Sequence, residues 1–289
     1  MERAEENEFE KVIKAVITRN TTPEVFAWLE EKANLVQKEK GNAQLNLAFA
    51  AIPRKTGRQL IIITEDERKI FEALHKGFSI DDWTTDRLCR LWLLMQTDAS
   101  DKDVYHYKIE NLFRAAEMNE LAALYSSLFF LKYAEEWQKQ CAEGIRSNIG
   151  LVLEAIMYNN PYPCKYLDDL AWNQLVLKAF FTDKNVNRII GIDERANKEL
   201  AWILIDYANE RWAAHRTVNL QLWRLVAKFI DESNFKNIEK AFKSSDFKEK
   251  EAAALACFQS NYAPAKELLE SEPDLKSKIL ENNLDWDGL

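Results

Sequence analysis

Four short strings concentrate the residues able to do chemistry: E-G-I-R-S-N from Glu143 to Asn148, N-P-Y-P from Asn160 to Pro163, W-N-Q from Trp172 to Gln174, and E-R-W-A-A-H-R from Glu210 to Arg216. With their neighbours they give the candidate set Glu143, Arg146, Asn148, Glu154, Asn160, Tyr162, Trp172, Asn173, Gln174, Lys178, Asp206, Glu210, Arg211 and Trp212. Carboxylates, guanidiniums and amides set among apolar residues have two uses. They can close on one another as a network that locks helices together, the reading favoured because buried polar groups are usually satisfied internally. They can also line a pocket for a polar small molecule, through Arg146, Asn173, Lys178, Asp206, Glu210 and Arg211 with Tyr162, Trp172 and Trp212 as walls.

The elements that position them are helices. A helix from about Tyr133 to Tyr158 carries Ile145, Ile149, Val152 and Ile156 as its apolar stripe, so Arg146 and Asn148 are expected partly buried at its border. Glu143, Ser147, Gly150 and Glu154 share another face, with Gly150 leaving room for a helix or ligand. On a later helix, from Ala196 to Arg216, Arg211 is placed to pair with Glu143 or Glu154, while Asp206 and Glu210 stand four apart. The catalytic alternative uses Glu154, Asp206 or Glu210 as acid or base with Arg146 or Arg211 holding an anion. No residue is assigned a catalytic role on spacing alone.

Other chemistries are excluded by pattern. None of His75, His106 and His215 has metal-ligand spacing, so no metal is expected. No phosphate loop, dinucleotide fingerprint or nucleophile elbow occurs, so no cofactor is expected. A net charge of -8 disfavours nucleic acid as a partner. No apolar run approaches the about 18 residues of a membrane span. The four cysteines form no C-x-x-C pair and the acidic start lacks a signal-peptide pattern, which points to a reducing cytoplasm.

Glycine decides the fold class. Seven occur in 289 residues, where average usage of about 7% would give roughly twenty. Folds that turn after every strand need more, so the expected fold is all-α: a multi-helical array of antiparallel hairpins, irregular and α-solenoid-like, with a HEAT-like tendency in the C-terminal part. The chain reads as one domain, 1–289, with an optional subdivision into hairpins over 1–130, a central hub over 131–218 and a repeat-like part over 219–289. Thr22-Pro23 and Thr64 are expected helix starts, and Pro53 an expected stop. Leu60 to Ile63 reads as a short strand or buried connector, the prolines of N-P-Y-P as forcing an extended linker, and A-A-A-L-A at Ala252 to Ala256 as a small-residue helix contact.

These strings, together with L-A-F-A-A-I-P-R-K (Leu47 to Lys55), D-R-L-C-R-L-W-L-L (Asp86 to Leu94), A-W-N-Q-L-V-L-K-A-F-F, D-E-R-A-N and D-Y-A-N-E-R-W-A-A-H-R, resemble the EboA family in sequence and in order over most of the chain. The resemblance implies a product of bacterial ebo clusters, which lie beside secondary-metabolite pathways and process or export metabolite precursors across the inner membrane. Their neighbours look like prenyltransferases, sugar isomerases and metal hydrolases, so other ebo-cluster proteins or a small metabolite are the implied partners. No catalytic activity carries over. Family members often have His where this chain has Asn209 and Gly where it has His215, which speaks against a histidine mechanism here. The expected function is therefore non-catalytic binding or scaffolding.

Overall fold

In the computed structural model, which describes residues 3–289, seventeen α-helices and four single-turn 3₁₀ helices account for all regular structure among the described residues. Leu60 and Thr84 form an isolated antiparallel bridge. The helices group into two units, the first ending at Asp168 and the second spanning Asp169–Leu289.

The first unit contains α1 (Arg3–Asn20), α2 (Pro23–Lys38), α3 (Ala43–Thr56), α4 (Glu65–Leu74), α5 (Thr85–Met95), α6 (Lys102–Ala115), α7 (Met118–Ser127), α8 (Gln138–Arg146), α9 (Gly150–Met157) and α10 (Pro161–Tyr166). Local chemistry sets several starts. Thr22 accepts from the Val25 amide with Pro23 at the first position, and Asp101 accepts from Val104. Thr64 and Glu67 form a reciprocal capping box, at 3.3 Å for Glu67 N to Thr64 Oγ1 and 2.8 Å for Thr64 N to Glu67 Oε2. At the centre, α5 is buried from Leu88 to Leu94 and packs against α1, α2, α3 and α7. Such a helix, apolar nearly all round, has to lie inside.

Four sequence expectations change here. Pro53 does not end its helix, because α3 runs on to Thr56. The proline merely removes one donor, with a consequence described below. Leu60 to Ile63 is extended with alternating burial, Ile61 and Ile63 inward, Leu60 and Ile62 exposed. The helix expected over Tyr133 to Tyr158 is broken: Ser147 leaves helical geometry at ψ 152°, and α8 and α9 are two helices in contact rather than one rod. The prolines of N-P-Y-P are helical instead of extended. Asn160 caps α10 and Pro161 occupies its first position, where the missing N–H costs nothing.

The second unit contains α11 (Asp169–Phe181), α12 (Lys198–Ala213), α13 (Gln221–Val226), α14 (Phe235–Phe242), α15 (Phe247–Gln259), α16 (Ala263–Glu270) and α17 (Pro273–Leu280). Here α15 is the central piece, packing against α13, α14, α16 and α17. Its Ala252 to Ala256 run is wholly buried, so small side chains let four helices approach one rod. No helix among the described residues is long and apolar enough to cross a membrane.

Candidate functional site

The largest concentration of buried charge lies in the first unit, where α3, α5 and α7 meet. It begins with Pro53. A proline in a helix cannot donate to the carbonyl four residues back, and Phe49 O is that carbonyl. The Arg90 Nε of α5 donates to Phe49 O at 3.2 Å, and the guanidinium lies 5.0 Å from the Phe49 ring. Arg90 is only 1% exposed. Its Nη1 donates to Asp86 Oδ2 at 2.6 Å, one turn earlier on the same helix, and Thr84 holds the other Asp86 oxygen at 2.5 Å. Burial pushes the Arg90 guanidinium below its usual value, and Asp86, Glu120 and Glu117 pull it back up.

Above this closed pair sits an open cleft of about 450 Å³ lined by Ala50, Pro53, Arg54, Arg58, Arg90, Glu117 and Glu120. Cavities of about 300–1,000 Å³ accept small molecules. Arg58 is half-exposed and approaches carboxylates only loosely, at 3.8 Å from Asp86 and 3.6 Å from Glu117. Glu120 Oε1 lies 3.5 Å from Arg90 Nη2, while its Oε2 accepts from the Glu117 amide at 3.0 Å to start α7. The arrangement suits holding a polar molecule by charge. It places no nucleophile beside a base.

The candidates read from sequence are distributed differently. Glu143 and Arg146 do meet, at 2.6 Å, but as an exposed pair on one turn of α8, and Asn148 is exposed in the break that follows. The expected partial burial of Arg146 and Asn148 fails because it assumed one continuous helix. Gly150 is exposed at the start of α9. The close approach is at Gly144, where an added Cβ would fall 2.5 Å from Tyr125 Cε1 and 2.6 Å from Ile156 Cδ1. Glu154 is half-buried and acts electrostatically on Arg87, whose guanidinium burial pushes down and Asp86, Asp82 and Glu154 support.

Asn160 is a staple. Its Nδ2 donates to Ala155 O (2.9 Å) and Tyr125 O (3.2 Å), and its Oδ1 accepts from Tyr162 N (2.9 Å). Tyr162 is fully buried with its hydroxyl on Ala134 O at 2.7 Å, and burial raises its phenol well above the ordinary range.

In the second unit, Trp172 is 0% exposed, with Arg195 4.7 Å over its ring. Asn173 exchanges amide hydrogen bonds with Asn197 (2.9 and 3.3 Å), and Asn197 Oδ1 accepts from Leu200 to cap α12. Gln174, Asp206 and Glu210 are exposed, and Lys178 is half-buried. Arg211 Nε donates to Thr217 O at 2.9 Å, which closes the end of α12. Trp212 stacks on Trp223, receives Lys240 at 4.0 Å over its ring, and donates to Glu249 at 3.2 Å. His215 has a left-handed backbone (φ 55°), and Asn209 accepts from Asn237 at 2.6 Å.

Sequence reasoning passed over Asp86, Arg90, Arg58, Glu117 and Glu120. The readable signal was an acid and an arginine at i, i+4 in a helix that, Arg87 and Thr85 apart, is otherwise apolar. The other three reach Arg90 only because α3 and α7 both pack on α5.

Among the described residues, no group of three or more His, Cys, Asp or Glu could hold a metal ion. No curated protein and no solved structure matches the chain. The family model described as "Metabolite traffic protein EboA" matches residues 9–227. That span is three-quarters of the 289 residues and includes every helix around the cleft, and on it the chain belongs to the EboA family of metabolite traffic proteins.

Proposed function

We propose that this protein is a non-catalytic helical binding or scaffold protein that handles a small polar metabolite, holds it in the α3–α5–α7 cleft, and serves the processing or export of a secondary-metabolite precursor. The observation that carries the reading is Arg90, a fully buried cation that nevertheless lines an open cleft. A buried charge is expensive unless paired, and here it is paired and lies against a cavity. Membership of a metabolite traffic family supports the metabolite as the ligand. Other ebo-cluster proteins are the proposed recipients, and the cytoplasm the proposed compartment. None of the four cysteines forms a disulfide, which supports the latter.

The test fills the cleft without touching its charges. Ala50 lies exposed on α3 at the cleft wall, so Ala50→Trp should leave the melting temperature within a few degrees while removing small molecules that the wild-type chain retains on purification from its own cells. Mass spectrometry of the denatured, deproteinised samples reads the difference. Identical small-molecule content in the two proteins, or none in either, sinks the reading.

A further inference from the structure

The charges at the cleft balance: Arg54, Arg58 and Arg90 against Glu117, Glu120 and Asp86, the last being the partner of Arg90 rather than part of the lining. The Asp86–Arg90 pair is closed at 2.6 Å and supports the floor. What remains at the mouth is unequal in commitment. Arg58 is 51% exposed and has no carboxylate within hydrogen-bonding distance, its contacts being 3.6 and 3.8 Å. Glu117 is 49% exposed, and its Oε2 accepts from Asn119 at 3.2 Å while Oε1 is the atom facing Arg58. Both carboxylates at the start of α7 thus have one oxygen engaged locally and one turned toward an arginine.

A ligand entering here separates Arg58 from Glu117. An acid group alone would satisfy Arg58 in bidentate fashion, but it would strip Glu117 of its cation and add a negative charge beside three carboxylates. An amine alone would do the reverse to Arg58. A molecule bearing both groups replaces each partner with its own complement and keeps the cleft neutral. Resting on the cleft reading above, we infer that the ligand class is zwitterionic: an α-amino acid or a conjugate of one, its carboxylate on Arg58 with Arg54 near, its ammonium on Glu117 with Glu120 near, and its apolar body on the Ala50–Pro53 side.

Three probes of nearly equal shape separate the possibilities by isothermal titration of the full chain: phenylalanine, 3-phenylpropionate and 2-phenylethylamine. Phenylalanine should bind at least about tenfold more tightly than either singly charged analogue, because a site loses heavily when a charged group is left unpaired. Arg58→Gln and Glu117→Gln should each weaken phenylalanine by about tenfold, whereas Glu117→Gln should leave 3-phenylpropionate unweakened or improve it. Both residues are half-exposed, so the variants should keep the wild-type melting temperature; Arg58→Lys serves as a second, charge-retaining variant and should restore part of the affinity. Equal affinity for phenylalanine and 3-phenylpropionate, no binding of any probe, or phenylalanine binding indifferent to Glu117→Gln overturns the zwitterion assignment. Ala50→Trp separates this from failure of the cleft itself. If it abolishes retained metabolite while the probes show no preference, the cleft stands and the class is wrong; if phenylalanine binds equally well to Ala50→Trp, the location is wrong.

Discussion

At the scale of single residues, two positions have their meaning set by what lies against them. Gly144 in α8 faces the Tyr125 ring and the end of Ile156 at distances no Cβ tolerates. Alanine gains roughly 1 kcal/mol of helix propensity over glycine, but forcing a methyl into a filled contact costs about 1–3 kcal/mol. The packing term is the larger. Gly144→Ala is therefore expected to lower stability, by up to about 2 kcal/mol, read as a fall in the urea midpoint at unchanged slope; a stabilised variant would mean that Tyr125 yields freely. Arg90 is the other. Its burial rests on the Asp86 pair and on Phe49 O, which Pro53 leaves without its usual donor. A proline read as a helix stop instead frees a carbonyl that helps satisfy a buried arginine.

At the scale of elements, the start of α4 ties local and long-range chemistry together. Glu67 closes the capping box and also takes a bidentate pair from Arg19 of α1, at 2.7 and 2.8 Å. Burial alone would raise the Glu67 carboxyl, but hydrogen bonds from Arg19 and Thr64 together with the Arg19 charge outweigh it and hold the group below the ordinary carboxylate range. With the folded value depressed, this contribution to stability is present above the unfolded pKa of about 4.3 and is lost as pH falls through the lower, folded one. Glu67→Gln should therefore show a shallower loss of stability between neutral pH and pH about 3 than the wild-type chain, as measured by denaturant midpoints across that window. Parallel acid limbs would show that the pair contributes nothing. Arg19 is more than a third exposed, so solvent screens the interaction and the difference should shrink in high salt.

At the scale of the whole molecule, the family match and the folded units do not end together. The match stops at residue 227, directly after α13, while α13 is covered by α15, which begins twenty residues later. Leu222, Trp223 and Val226 are 0% exposed, and Leu225 nearly so. Removing the residues after 227 would uncover that apolar face. Burying one large apolar side chain is worth about 1.5–3 kcal/mol, so a chain cut there should melt markedly lower than the full chain, or aggregate. A truncated protein with the full-length melting temperature would show that α14 to α17 are dispensable for the second unit.

Sequence by itself determined that this protein is helical, where most helices begin, and which family it belongs to. Scarcity of glycine, 3.6-residue apolar periodicity, caps such as Thr22 and Thr64, and long ordered strings are all properties of neighbouring residues and can be read in one dimension. The candidate site was legible only in part. Asp86 and Arg90 were visible as charges in an apolar helix, while Glu143, Arg146, Asp206 and Glu210, chosen for their chemistry, lie on exposed faces. Only the tertiary structure decided which charges are buried and which share a cleft, because burial depends on what another segment lays over a residue. Phe49 O, Arg58, Arg90 and Glu117 are far apart in the chain and meet through the packing of α3, α5 and α7, for which no local pattern in any one of these helices codes.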